Sequence, residues 1–146
     1  MPTTLVAQKM EHMVRVYFGA CERQDTHAIA ACFAPGAVHY LPHLSPFPGG
    51  EAIGAAIVAD LSNRGGQYFI DRIFSDGEQC VAAVEWSRTF HHPDRILRGF
   101  EICEFDPASM LIREIRGYYA AAPSPDTARH EIVGFDYPGR GYKSLS

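Results

Sequence analysis

Cations are in short supply in this sequence. It sets 13 lysines and arginines against 17 aspartates and glutamates, a formal net charge of −4, and its arginines are scattered along the chain. A surface that tracks phosphates needs clustered positive charge, so no nucleic-acid partner is expected. Long apolar runs are missing too: no stretch approaches the roughly 18 residues of a membrane span. The opening MPTTLVAQKMEHM has no charged segment followed by an apolar one, so no export signal is read there and the expected location is the cytoplasm. The four cysteines, Cys21, Cys32, Cys80 and Cys103, form no C-x-x-C pair and read as free thiols acting as small apolar residues. There is no G-x-S-x-G, no glycine loop to cradle phosphate and no dinucleotide fingerprint. His39 and His43 are separated by Pro42, and His91-His92 precedes a turn, so no zinc set is seen. Neither a metal nor an organic cofactor is expected.

What is present suffices for one domain with a real core: 146 residues, 47% hydrophobic and 21% charged. Val6, Met10, Met13, Val14, Tyr17, Phe18 and Cys21 recur at helical spacing and predict an amphipathic helix from Leu5 to Arg23. Asp25 is placed to cap a second helix carrying Ile29, Cys32 and Phe33 and stopped by Pro35-Gly36. A short strand over Ala37–Leu41 and a proline-rich loop over Pro42–Gly50, expected at a pocket rim, lead to a third helix over Glu51–Leu61, ended by Gly65-Gly66. From there the period is two. Tyr68–Phe74, Gln79–His91, Arg95–Asp106 and Leu111–Ala121 read as strands joined by short turns, hence an antiparallel sheet in an α+β fold. The expected domain covers residues 1–122. Residues 123–146 form a tail rich in proline and glycine, but its aromatic content is too high for disorder, so it is expected to pack on the body or on a partner subunit.

A two-residue turn at Pro93-Asp94 would place Trp86 opposite Glu101. One face would then carry Val84, Trp86, Arg88 and Phe90 beside Leu97, Gly99, Glu101 and Cys103. Glu114, Arg116 and Tyr118 alternate along the last strand, and Ile102, Ile112 and Ile115 would face outward. An inward Glu101 is desolvated, which raises its pKa and suits it to general acid–base work or to donating to an oxyanion. The other reading is an ion pair with Arg88 or Arg116 that only neutralises buried charge. Tyr17 is either a hydrogen-bond donor or a core aromatic; His39 is either a base or a strand-end histidine.

The opening helix with Tyr17, DTHAIAACFAPGAVHYLP (Asp25–Pro42), GGEAIGAAI (Gly49–Ile57) and GFEICEFDPASMLIREIRGYY (Gly99–Tyr119) together resemble the nuclear-transport-factor-2-like superfamily, in its SnoaL-like branch. The resemblance implies a cone-shaped α+β fold, three N-terminal helices on a curved, mostly antiparallel sheet, often paired as a homodimer through the outer sheet face. Compared with ketosteroid isomerase, Tyr17 matches the helix-1 tyrosine and Glu101 the protonated oxyanion-hole carboxyl; the general base falls on Leu41, which cannot take a proton, leaving His39 on the same strand face as its substitute. The acid of polyketide cyclases falls near Ile115–Arg116, with Glu114 close by, and a histidine of scytalone-dehydratase-like members is replaced by Tyr68. The expectation is a cofactor-free isomerase or lyase type of enzyme moving protons on a small, largely apolar carbonyl or hydroxyl compound. Glu101, Tyr17 and His39 would do the chemistry, Arg116 would orient Glu101 or a substrate anion, and Trp86, Arg88, Phe90, Tyr118, Leu41 and Tyr68 would form the walls. The alternatives are a non-catalytic ligand-binding or dimerisation module and a protein-interaction scaffold.

Overall fold

The computed structural model describes residues 2–91, 94–120, 126–131 and 134–145. Helix α1 (Thr3–Glu22) follows its apolar stripe, burying Met10, Val14, Tyr17, Phe18 and Cys21. Helix α2 (Thr26–Ala30) is capped as expected, the Ala28 amide donating to Asp25 Oδ1 at 3.0 Å. Asp25→Ala should cost about 1 kcal/mol, read as a lower urea midpoint with an unchanged slope. The helix ends sooner than its pattern suggests. Phe33 already opens β1 (Phe33–Tyr40), and Pro35-Gly36, instead of stopping a helix, occupies an irregularity in that strand between Phe33 and Val38. A brief β2 (Phe47–Pro48) lies inside the expected loop, followed by α3 (Gly50–Arg64) with Gly65 at its C-cap.

Strands β3 (Tyr68–Asp76), β4 (Val81–Phe90), β5 (Arg95–Phe105) and β6 (Ile112–Tyr119) run consecutively antiparallel. The sheet order is β2-β1-β6-β5-β4-β3, with β1 parallel to β6. The helices cover one face, so the fold is α+β with three helices on a mostly antiparallel curved sheet. Among the described residues no helix is long and apolar enough to cross a membrane.

Two details of register depart from expectation. Phe90 pairs with Arg95, Trp86 with Gly99 and Val84 with Glu101, a shift of two that leaves every side chain on its expected face. His92 and Pro93, at the expected turn, lie outside the described residues. The sheet has a physical reason for its choice. A Cβ on Gly99 would stand 2.1 Å from the Trp86 ring, so the indole lies flat where its neighbour has no side chain. Gly99→Ala should cost about 2 kcal/mol through overpacking and shift the emission of Trp86, the chain's single tryptophan.

The second departure is a bulge in β6. Glu104 pairs with Glu114 but Phe105 pairs with Ile112, so Arg113 is the extra residue and the strand's alternation changes phase there. Ile112 and Ile115 both turn inward and are fully buried, not on the outer face as expected. Arg116 and Tyr118 correspondingly turn outward.

The tail returns to the body. Strand β7 (Arg129–His130) pairs in parallel with the start of β5, where β6 has ended. Arg98, only 7% exposed although on the outer face, donates to Glu131 at 3.1 Å and to Ser87 at 2.8 Å and lies 4.2 Å over the Tyr137 ring. Tyr142 donates to Glu85, and the Lys143 amide to Asp71. The tail thereby buries Ser87 on a strand face that alternation alone would leave wet. Residues 121–125, the region of the expected boundary, lie outside those described.

Candidate active site

Between the helices and the inner sheet face lies a cavity of about 300 Å³, within the range of small-molecule sites. Helix α1 contributes Tyr17, Phe18 and Cys21; β1 and the loop after it give His39, Leu41, Leu44 and Phe47. Ile53, Ile57, Asp60 and Arg64 come from α3, and Tyr68, Trp86, Arg88, Phe90, Arg95, Leu97 and Glu101 from β3–β5. Of the residues expected to form the site, all but Arg116 and Tyr118 are there. Arg116 instead binds Glu104 at 3.0 Å and Glu114 on the outer face, and Tyr118 is exposed against Phe100. The bulge that turns them outward brings in Gly117 and, at the cavity rim, Tyr119, whose hydroxyl donates to Pro42 O at 3.2 Å.

Among the described residues Glu101 forms no ion pair, and its Oε1 has no hydrogen-bond partner; its side chain is buried, and burial lifts its pKa from 4.5 to about 8. It is a carboxylic acid at neutral pH. Arg88, the partner considered for it, is held instead by Asp60 Oδ2 at 3.1 Å and by the carbonyls of Gly65 and Thr89, with its guanidinium 4.2 Å over the Phe90 ring and 5.1 Å over Tyr68.

His39 is equally isolated. Its Nε2 is buried without a partner among the described residues, and desolvation lowers its pKa from 6.5 to about 4, so the imidazole is neutral. Gly117 is the register partner of Glu101, and His39 Nε2 lies 3.9 Å from where a Gly117 Cβ would be. His39 and Glu101 thus flank Gly117, with Leu41 Cδ2 nearer still, 2.7 Å from that Cβ position. Tyr17 packs edge-on against Phe18 and Phe33, 5.5 and 5.4 Å between ring centres, and its phenol is kept protonated by burial and by the nearby Cys21 and Glu101. Trp86 Nε1 is a further buried donor with no partner among the described residues. Buried polar groups without partners are uncommon in folded proteins; here the residues that carry them line one apolar-walled space.

Sequence reasoning missed Asp60, Arg64, Arg95 and His130 as cavity residues. For Asp60 and Arg64 a signal existed, since both follow Ile53 and Ile57 along α3 at helical spacing. His130 had none, because its place depends on the tail pairing with β5.

A family profile described as the SnoaL-like domain matches residues 14–114. Comparison with curated proteins gives no match. Among solved structures, a protein of unknown function with a cystatin-like fold from Methylobium petroleophilum is 38% identical, covering 96% of this chain and 94% of its own, with a TM-score of 0.76. A candidate ketosteroid isomerase from Kribbella flavida has a TM-score of 0.68 at 20% identity, over 83% of this chain and 84% of that one. An epoxide hydrolase of M. tuberculosis gives 0.65 at 17%, over 77% and 84%. The last two establish likeness of fold.

Proposed function

This chain belongs to the SnoaL-like domain family, and from that premise we propose that it is a cofactor-free enzyme transferring protons on a small, largely apolar molecule with a carbonyl or hydroxyl group. The observation that carries this reading is that Glu101, His39 and Trp86, each with a buried polar side-chain atom that has no partner among the described residues, all line one cavity. A core that only satisfied itself would pair them.

The reacting oxygen accepts from protonated Glu101 and from the Tyr17 hydroxyl, which stabilise negative charge as it develops. His39 Nε2 takes the proton from the adjacent carbon or hydroxyl and returns it one position along. An imidazole of such low pKa is a weak base in water, yet ketosteroid isomerase works with an aspartate base of comparably low pKa once the oxyanion is held by hydrogen bonds. Leu41, where that enzyme's base would fall, here supplies apolar wall. Pairing of two copies through the outer face belongs to the same reading, with Tyr40, Phe100 and Tyr118 as its exposed aromatic side chains; a monomer in sedimentation at micromolar concentration would remove it.

The test needs no knowledge of the natural reaction. Small cyclic ketones are incubated with the protein in D₂O and deuterium next to the carbonyl is followed by NMR. Exchange by the native protein that falls at least about a hundredfold in both Glu101→Gln and His39→Gln is the expected outcome. Ketones that bind without exchanging would make this a binding module.

A further inference from the structure

The cavity wall is unevenly charged. Arg64, Arg88 and Arg95 line it against two carboxyls, Asp60 and Glu101. Burial keeps Glu101 protonated at neutral pH. Three guanidiniums against the Asp60 carboxylate leave two positive charges, in a chain whose formal net charge is −4.

That surplus gathers at one end. Asp60 is shared between Arg64 at 2.6 Å and Arg88 at 3.1 Å, whereas Arg95 has no ion-pair or hydrogen-bond partner for its side chain among the described residues. Arg95 is the register partner of Phe90, and Arg64 lies 5.1 Å over the Phe90 ring. The next inward residue of β5 is Leu97, beside His130 of the tail, whose Nε2 is buried and has no partner among the described residues. Arg64, Phe90 and Arg95 also line an adjoining surface hollow, which marks this as the open end. Glu101 lies four residues beyond Leu97, about 13 Å along an extended strand. The wall between them carries Leu97, Trp86 and Ile57.

We propose that the substrate is an amphiphilic carboxylate, gripped at the open end by Arg95 and His130, with its reacting carbonyl or hydroxyl at Glu101, six residues further along β5 and on the order of 20 Å away between backbones. Resting on the enzyme reading of the same cavity, this narrows the substrate to apolar keto or hydroxy acids and gives the tail a share in recognising them. A planar guanidinium with a free fork suits a carboxylate, and one such fork with one imidazole suits a single negative charge.

Trp86 lines the cavity and is the single tryptophan, so its fluorescence reads occupancy. Phenylbutyrate, phenylbutanol and phenylbutyl phosphate are titrated into the native protein, Arg95→Gln, His130→Gln and the outer-face control Arg116→Gln. The expected result is carboxylate binding about tenfold tighter than the alcohol, an advantage lost in Arg95→Gln, reduced in His130→Gln and kept in the control. Equal binding of acid and alcohol, an advantage surviving in Arg95→Gln, or no binding by any probe would overturn the proposal. Tighter binding of the phosphate ester would also overturn it, assigning the end to phosphate. The two readings fail separately. Ketone exchange without acid preference removes only the carboxylate, whereas acid preference in a protein that exchanges no deuterium removes the enzyme and leaves an anion-binding module.

Discussion

Glu101→Gln is expected to make the protein more stable above neutral pH while removing the proposed proton-transfer activity. The unfolded carboxyl ionises above 4.5, whereas the folded one keeps its proton up to about 8. Between these values the folded state holds more protons, so stability falls as pH rises. The contribution is fully present below pH 4.5 and gone once pH passes through about 8. A tenfold difference in proton affinity between the folded and unfolded chain corresponds to about 1.4 kcal/mol. Glutamine has no proton to lose, so the variant should gain on the native protein by about 3 kcal/mol or more between the two ends of that window. His39 acts with the opposite sign: its lowered pKa makes stability fall as pH drops from 6.5 through about 4, and His39→Gln should flatten that acid limb. Urea unfolding of the three proteins across these pH values checks both. A native-minus-variant difference that does not change with pH would mean Glu101 is ionised in the fold, and the oxyanion role would fall with it.

Such a group, destabilising where it stands and left without a partner, is a signature of function over stability. It was legible in the sequence because the alternation on β4 and β5 is clean. Val84, Trp86 and Arg88 and then Glu101 and Cys103 show their facing by parity alone, which a register shift of two cannot disturb. What parity could not show was the bulge at Arg113. Ile112 and Ile115 are three apart and both buried, a spacing that strict alternation puts on opposite faces and that the extra residue between them brings to one. The same single residue reverses the facing that alternation gives Arg116 and Tyr118. Helix α1 was readable because seven apolar residues share one stripe. Helix α2 was not, because Cys32 and Phe33 continue a helical pattern while their backbone has already entered the sheet; packing of Phe33 against Tyr17 overrides local preference. The aromatic content of the tail signalled that it packs, but where it packs had no local signal. Ser87 and Arg98 look like surface residues on alternating strands, and only contacts more than thirty positions away, with Glu131 and Lys143, bury them.

The largest loss of stability is expected from Asp60→Ala. Arg88 is only 1% exposed, and among the described residues its charge is balanced by Asp60 alone, the other partners being the carbonyls of Gly65 and Thr89. Removing one member of a buried pair strands the other, at a cost of about 3 kcal/mol or more. Arg64, the second partner of Asp60, is 61% exposed, so Arg64→Ala should cost less than about 1 kcal/mol. The contrast between the two arginines separates a charge that must be neutralised from one that water already serves. Arg88→Met should suffer less than Asp60→Ala, since a methionine fits between Tyr68 and Phe90 and frees Asp60 to turn to Arg64 and solvent. In the double variant the stranded charge is gone, so it should recover most of what Asp60→Ala loses, giving a coupling of about 2 kcal/mol. Urea midpoints for the four proteins of this cycle decide the matter. Additive losses would mean that the carbonyls and ring faces suffice for Arg88, and that Asp60 serves the cavity and not the fold. The same cycle bears on ligand choice, because Asp60 is the one ionised carboxylate on a wall of three guanidiniums. Wherever Asp60→Ala remains folded, phenylbutyrate should bind it more tightly than the native protein while phenylbutanol does not, as a site chosen for anions requires.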